Sequence, residues 1–490
     1  MSLTNLIFFL YQVAAILAVI HVVMDNRQPA KTLAWALFIY FIPFVGLIAY
    51  IFFGVNTRKE RYVSKRSMDQ LTRRSLLKFA EQPEQPVSEQ YKPVVDMFVK
   101  QSDALPFSAD NVDVLVNGYE FFPALLRDIA QAQSHIHIDI YIFEDDPLGR
   151  LVSDALIDRA RAGVEVRIIY DDVGCWSVRS QFFEHMREAG IEVESFMPVH
   201  FPEFTSKANY RNHRKLIVID GRVGYIGGMN IALRYVKGSQ KRRRQPLPWR
   251  DTMTRIEGRG VYSLQRAFLI DWYFVDRTLL SDRKYYPAPT SPFDQGTPAR
   301  QEISNLESPL VQTVTCGPSS PYPEIMQGYV RLILSAHKYI YIETPYFLPT
   351  SAILLALKTA ASSGIDVRIL VPLHSDAWLT EWASRSYLRE VAAAGARVLY
   401  YEAGFVHSKL MVIDDGVCTC GSTNIDFRSF ENNFEANAFF YSETVAIRMR
   451  EIFLTDEQKS VALTSLPHRM HPRFFVRLWE SLTRLFSPLL

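Results

Sequence analysis

Two stretches of this sequence, Asn212-His-Arg-Lys-Leu-Ile-Val-Ile-Asp220 and Val406-His-Ser-Lys-Leu-Met-Val-Ile-Asp414, carry the same pattern. In each, a lysine stands two places after a histidine, and four apolar residues separate that lysine from an aspartate. The apolar run reads as a strand, on which residues i and i+2 face the same side. His213 and Lys215, and likewise His407 and Lys409, therefore form side-by-side pairs. One such triplet can arise by chance in a long chain; two at equal spacing cannot be dismissed that way.

Working outward, the flanks repeat too. Ile136-His-Ile-Asp139 matches Ile340-Tyr-Ile-Glu343, and Gly163 with Val164–Ile169 matches Gly364 with Ile365–Leu370. Gly190 and Gly395 each lead into a further apolar stretch, and Gly227-Gly-Met-Asn230 is echoed by Gly421-Ser-Thr-Asn424. The pitch of roughly 200 residues is far longer than a solenoid repeat, so the chain holds a duplicated domain. Within each copy, short β-rich runs alternate with helical patterns such as Leu151–Ala162 and Ser351–Ser362. This predicts an α/β fold, with a mixed sheet flanked by helices in each copy and a pseudo-twofold between them. The expected division is 1–57, a transmembrane hairpin; 58–110, a polar helical connection to the first copy; 111–280, the first domain; 281–310, a Pro/Ser-rich linker; 311–466, the second domain; and 467–490, an amphipathic helix.

The doubled H-x-K-x4-D pattern with its downstream Gly-Gly/Ser-x-Asn resembles the phospholipase D superfamily over nearly all of residues 110–460. Tyr341-Ile-Glu-Thr-Pro-Tyr-Phe-Leu-Pro349, Trp249-Arg-Asp-Thr252 and Arg428-Ser-Phe-Glu-Asn-Asn-Phe-Glu435 look specifically like bacterial cardiolipin synthases. The resemblance implies a bilobal fold with one active site between the lobes and no metal or other cofactor. It implies a phosphohistidine route, with His213 favoured as nucleophile and His407 as acid/base, although near-symmetry leaves the order open. Lys215, Lys409, Asn230 and Asn424 would then bind phosphate oxygens. Each imidazole needs a carboxylate behind its other nitrogen; by resemblance, Asp251 serves the first histidine and Glu435 the second. Asp220 and Asp414 belong to the catalytic pattern, but four residues separate them from the lysines, which favours a part in holding the motif. The implied reaction joins two phosphatidylglycerol molecules into cardiolipin and glycerol. A hydrolytic phospholipase D, or a synthase using phosphatidylethanolamine, is the alternative within the class.

Composition bears on the rivals. Lys and Arg number 54 and Asp and Glu 52, so no global field draws the chain to nucleic acid, and a nuclease is disfavoured. Intact His and Lys in both copies argue against a silent scaffold. Metal-assisted chemistry needs clustered ligands, for which Asp145, Asp146, Asp171 and Asp172 are candidates by count, with no matching cluster in the second copy. The four cysteines form no CxxC or Cys/His pattern and read as reduced thiols.

The chain ends point to lipid. No ionised side chain appears in Met1–Met24, and a second uncharged run extends over Thr32–Thr57; each is long enough to cross a hydrocarbon core of ~30 Å. Arg58, Lys59, Arg61, Lys65, Arg66, Arg73 and Arg74 follow, against Glu60 and Asp69. That bias places the catalytic domains on the cytoplasmic side of the cell's inner membrane, with a multi-pass anchor. Lys241-Arg-Arg-Arg244 reads equally as an anionic-lipid contact or a solvated loop. Near the C-terminus, Phe474, Phe475, Leu478, Trp479, Leu482, Leu485 and Phe486 share one helical face, away from Arg473, Arg477, Glu480 and Arg484. Such a stripe suits a membrane interface or packing on the catalytic core. The expected partners are phosphatidylglycerol and anionic membrane lipids, with homo-oligomerisation left open.

Overall fold

The computed structural model describes residues 3–24, 29–42, 44–50, 87–199, 210–238, 248–287 and 308–489. The basic stretch 58–74 and the Lys241–Arg244 loop lie outside the described residues, as does most of the 281–310 linker.

The duplication is plain in the sheets. The first lobe orders its seven strands as Asn111–Val116, Thr252–Glu257, Val223–Gly227, Lys215–Ile219, His135–Ile140, Glu165–Asp171 and Glu192–Phe196. The second repeats that order with Leu310–Cys316, Glu435–Tyr441, Val417–Gly421, Leu410–Ile413, Tyr339–Glu343, Asp366–Pro372 and Arg397–Tyr401. Short edge strands, Phe107–Ser108 and Ser460–Ala462, flank the second set. Both sheets are mixed: in each, the two strands beyond the one that pairs with the motif strand run parallel, joined through helices, and the rest are antiparallel.

The motif strands are central and buried on both faces, which explains their unbroken apolar runs. Leu216 and Val218, with Leu410 and Val412, point into one core shared by the lobes. Helices Val261–Asp276 and Glu443–Glu457 fill it, lying between the two sheets. Ile217 and Ile219 face a separate outer core of the first lobe, and Met411 and Ile413 that of the second. The two lobes thus make one body with a common middle layer.

The described part of the 58–110 connection is more than a tether to the first copy. Helix Lys92–Ser102 packs on the second lobe, with Phe98 fully buried against Phe439, ring centroids 4.8 Å apart. Gln312 donates to the carbonyls of Val95 (3.2 Å) and Ala104 (2.7 Å), fixing both ends of this segment.

At the N-terminus, helix Leu3–Met24 is long and apolar enough to cross a membrane, and it is the one such helix among the described residues. The second apolar run does not form the continuous helix expected over Thr32–Thr57. Its helix stops at Phe41, just before Pro43, and a short helix Val45–Ala49 follows Phe44, whose φ is 63°. A proline disfavours helical backbone in the residue before it, so the break is local chemistry. The two segments still pack together: Val22, Ile39 and Tyr50 are buried, and the Tyr11 hydroxyl donates to the Ile39 carbonyl at 2.7 Å.

Helix Phe474–Arg484 docks on Trp378–Ala393 by its polar side. Glu480 pairs with Arg389; Arg484 pairs with Glu390 at 2.8 Å and lies over the Tyr387 ring. Glu480 and Thr483 are buried, whereas all seven apolar residues of the stripe are exposed. Core packing through the stripe is therefore not what the fold does.

Replacing Phe98 by Ala should destabilise the protein by about 3–5 kcal/mol, the usual cost of emptying a large aromatic site. The midpoint of chemical denaturation in detergent measures it. An unchanged midpoint would show that the Lys92–Ser102 helix is dispensable to the second lobe.

Candidate active site

The backbone delivers each histidine across the boundary between lobes. Asn212 bridges to Phe434, and the His213 N–H donates to the Phe434 carbonyl at 2.9 Å. In mirror fashion, Phe405–Val406 pairs with Trp249–Arg250, and the His407 N–H donates to the Arg250 carbonyl at 2.7 Å. Each histidine is thus laced to the residue just before the other lobe's carboxylate.

This lacing corrects the expected partners. Glu435, not Asp251, stands behind His213, its oxygens 3.0 and 3.1 Å from Nδ1. Asp251, not Glu435, stands behind His407, at 2.7 Å from Nδ1. Resemblance assigns each carboxylate to its own copy because it follows that copy's motif in sequence; the exchange arises only when the lobes pair. With both Nδ1 atoms held, neither Nε2 atom has a hydrogen-bond partner among the described residues.

The carboxylates are themselves braced. Ser422 donates to Glu435, and Asn433 Nδ2 does so at 3.2 Å. The matching position in the first copy is Gly228, where an added Cβ would collide with an Asp251 oxygen. The Gly/Ser variation between repeats thus has a cause: one copy yields space to its aspartate, the other supplies a hydroxyl to its glutamate. The Thr252 N–H donates to Asp251 at 2.7 Å.

Lys215 and Lys409 are buried and donate to the carbonyls of His213 and His407. Lys409 Nζ also lies 3.0 Å from His407 Nδ1. Burial, reinforced by the charge of Lys409, lowers Lys215 to about 7, against the pull of Glu435 and Asp251. Burial likewise lowers Lys409 to about 8. Burial and the two lysines bring His213 down to about 4, and the same causes push His407 well below its ordinary value. Burial lifts Asp251 to about 6; it would lift Glu435 too, but His213, Lys215 and Ser422 hold that carboxyl below its usual range. Each imidazole lies within electrostatic reach of the other lobe's lysine, so the two pairs converge on one site.

Asp220 and Asp414 do not join them. Asp220 accepts from the N–H groups of Gln133, Ser134 and His135 at 2.7–2.9 Å, and Asp414 from those of His337, Lys338 and Tyr339 at 2.6–2.8 Å. Both sit at positive φ where the motif strand turns. Counting them with the catalytic residues is corrected: they clamp the start of the neighbouring strand. Asn230 accepts from the Ile142 N–H at 3.0 Å and donates to Tyr235 at 2.8 Å; Asn424 is buried beside Asp426.

Two residues absent from the sequence-based site brace it. Arg214 pairs with Asp271 and donates to the Glu435 carbonyl at 3.1 Å. Arg250 pairs with Asp456 at 2.5 Å and donates to the Asp251 carbonyl at 2.6 Å. Asp271 and Asp456 lie on the two middle-layer helices. An arginine between His213 and Lys215, at the entry to an otherwise apolar strand, is the available signal.

The four aspartates considered as metal ligands have other partners. Asp145 pairs with Arg150 at 2.6 Å, and Asp146 caps helix Pro147–Arg161. Asp171 accepts from the N–H groups of Gly174 and Asn212, and Asp172 from that of Val199.

The chain shares its fold with the crystal structure of phosphatidylserine synthase from Haemophilus influenzae, at a TM-score of 0.58 and 16% identity, covering 82% of this chain and 98% of that one. A duplicated sheet with a His–Lys pair from each lobe places it in the phospholipase D class. Residues 125–241 and 329–456 match the family described as cardiolipin synthase, PLD-like domain, and residues 13–54 match the phospholipase D-nuclease N-terminal family. The major cardiolipin synthase of Bacillus subtilis is 36% identical over the whole of both chains. Cardiolipin synthase 1 of Staphylococcus epidermidis is 34% identical over 98% of this chain and 96% of its own. This chain belongs to the cardiolipin synthases of the phospholipase D type.

The crossed pairing makes a directional prediction. In protein with ¹⁵N-labelled histidine, Asp251→Asn should shift the His407 ring resonances and leave those of His213 in place, while lowering turnover by about 10²–10⁴. A shift confined to His213 would restore the pairing within each copy.

Proposed function

We propose that the protein makes cardiolipin by moving a phosphatidyl group from one phosphatidylglycerol to another, releasing glycerol. The observation that carries this reading is the pair of imidazoles held at Nδ1 by opposite-lobe carboxylates, which leaves two Nε2 atoms for one phosphate. His213, neutral in the free site, attacks phosphorus through Nε2. His407 protonates the departing glycerol oxygen, leaving a phosphatidyl group on His213. His407, now neutral, takes the proton from a hydroxyl of the second phosphatidylglycerol, whose oxygen attacks phosphorus and frees His213. His407 accepts a proton for this cycle more readily once the phosphate anion offsets the lysine charges.

The assignment of His213 as nucleophile draws on the asymmetry of the two settings. Among the described residues its Nδ1 faces only Glu435, whose low pKa keeps it charged, so an Nδ1–H tautomer leaves the Nε2 lone pair available. His407 shares Nδ1 with Asp251 and Lys409. Lys215 and Lys409 stabilise charge on the phosphate oxygens in the transition state, and the amides of Asn230 and Asn424 contribute donors. Only residues of this chain take part in these steps, so a cofactor-independent reaction is part of the proposal.

The reading extends to the membrane. Helix Leu3–Met24 and the broken second segment form an anchor that crosses the inner membrane as a hairpin, with the catalytic lobes on the cytoplasmic side. A reporter fused after residue 66 tests the orientation; an extracytoplasmic signal would reverse it.

The defining assay follows lipid products and released glycerol from phosphatidylglycerol, with purified protein in detergent and EDTA. Cardiolipin and glycerol should rise together and vanish in His213→Ala and His407→Ala, with phosphoenzyme trapped only in the latter. Phosphatidic acid as the main product would make the protein a hydrolase, and loss of activity with EDTA would end the cofactor-independent reading.

The pH dependence follows from the lysines. Their lowered pKa values mean that positive charge is present below about 7 to 8 and lost above it. kcat/KM should therefore fall as pH rises through that window. A profile flat to about pH 10, near the ordinary lysine pKa, would remove the lysines from phosphate binding.

A further inference from the structure

The C-terminal helix is assembled with its apolar face outward. Glu480, Thr483 and Ser487 are at most 2% exposed, whereas Phe474, Phe475 and Leu485 exceed 70%. Two ion pairs to the second lobe hold it this way round: Glu480 to Arg389 and Arg484 to Glu390. A helix that merely needed to hide its apolar stripe would have docked the other way. The exposed side also carries Arg473 and Arg477, while the helix's one acidic residue, Glu480, is buried.

The surface extends toward the active site. Trp479 lies 5.9 Å from Trp378, itself 54% exposed. Trp378 opens the helix that follows strand Asp366–Pro372. Two residues before it, Asp376 accepts from the Tyr346 hydroxyl at 2.7 Å and lies within electrostatic reach of Lys409. Beyond Arg484, the turn Ser487–Leu489 packs on helix Phe427–Glu431, just past Asn424. The first lobe answers from the equivalent loop. Trp176, 60% exposed, follows strand Glu165–Asp171, whose last carboxylate binds the N–H of Asn212 beside His213. Exposed tryptophans thus mark the site end of both lobes.

We propose that the outward face of helix Phe474–Arg484, together with Trp378 and Trp176, is a seat for an anionic bilayer surface, holding the mouth of the active site against its lipid. Tryptophan and phenylalanine settle at the level of the headgroups, and arginines flanking them meet anionic lipid, so the composition of this face fits a membrane. The seat rests on the reading of a phospholipid substrate, and it acts in addition to the N-terminal anchor. An anchor alone fixes distance to the bilayer but not which side of the lobes faces it.

The test uses the full chain in nanodiscs of phosphatidylglycerol and phosphatidylcholine. All four native cysteines are buried, so a fluorophore can be directed to Phe475→Cys or Leu482→Cys, with Ser363→Cys, at the other end of the strands, as control. Nitroxide-bearing acyl chains should quench the first two labels and spare the third. Absence of quenching at both positions, or ready disulfide formation between copies through them, overturns the seat. A triple variant, Phe475→Ser, Leu482→Ser and Leu485→Ser, changes only exposed side chains. It should lose about tenfold in activity on bilayer phosphatidylglycerol while keeping activity on the same lipid in detergent micelles. Equal activity in both settings, or equal loss in both, overturns the seat. Failure to make cardiolipin under any condition would instead remove the reading of function, and the quenching result would stand apart from it.

Discussion

The exchange of carboxylates between lobes is the constraint on which the rest of the molecule depends. A histidine whose Nδ1 partner belongs to the other half cannot be oriented until both halves are folded and docked. That requirement explains the shared middle layer of two helices and the short cross-lobe strand pairs that run into each histidine. It also explains the buried arginines. Arg214 and Arg250 each tie a middle-layer aspartate to the backbone that carries a histidine-binding carboxylate. An uncompensated buried guanidinium is costly, but here each is paired, and each fixes backbone geometry that a flexible apolar side chain could not.

Burial then sets the chemistry. Two ammonium groups close together in a dry site repel each other, and Asp251 and Glu435, with Asp139, Asp376 and Asp426 nearby, offset the cost of their burial. The imidazoles sit within that field and are held neutral, which suits the proposed attack by His213 and the proposed uptake of a proton by His407 when phosphate arrives. The charge balance of the site before substrate enters, two lysines against two carboxylates, is changed by one when a phosphodiester binds. Entry of a phosphodiester therefore alters the protonation preference of the two imidazoles.

Much of this is legible in the chain. Two H-x-K-x4-D runs in matching places of a repeat specify the duplicated α/β fold, because in that alternating context an apolar run of four between polar ends suits a central strand. Spacing alone marks the aspartates of the motif as holding it together, and Asp220 and Asp414 do hold three N–H groups each. What spacing does not carry is which lobe's carboxylate meets which histidine, since a pseudo-twofold leaves both arrangements consistent with one sequence. Pro43 is visible in the sequence, but the length of the apolar run outweighs it when only hydropathy is read; the helix nonetheless ends at Phe41 and a new one begins at Val45. The inverted C-terminal helix is hidden for a related reason. An amphipathic pattern states that two faces differ, and only the pairs made by Glu480 and Arg484 state which face meets protein.

That inversion bears on how a transferase can outrun hydrolysis. A phosphatidyl group held on histidine is open to any nucleophile that reaches phosphorus, and water is the most abundant. Selectivity for a lipid hydroxyl requires either a closed site or an acceptor at high local concentration. A site whose mouth is pressed to a bilayer rich in acceptor supplies the second without a lid, because acceptor in the membrane plane arrives by lateral diffusion while bulk water is displaced from the entrance. In that arrangement the exposed tryptophans and the outward-facing helix are part of the specificity for transfer. In the proposed arrangement the N-terminal anchor and the C-terminal helix have separate roles: the anchor would keep the protein at the membrane and the helix would determine the face it presents.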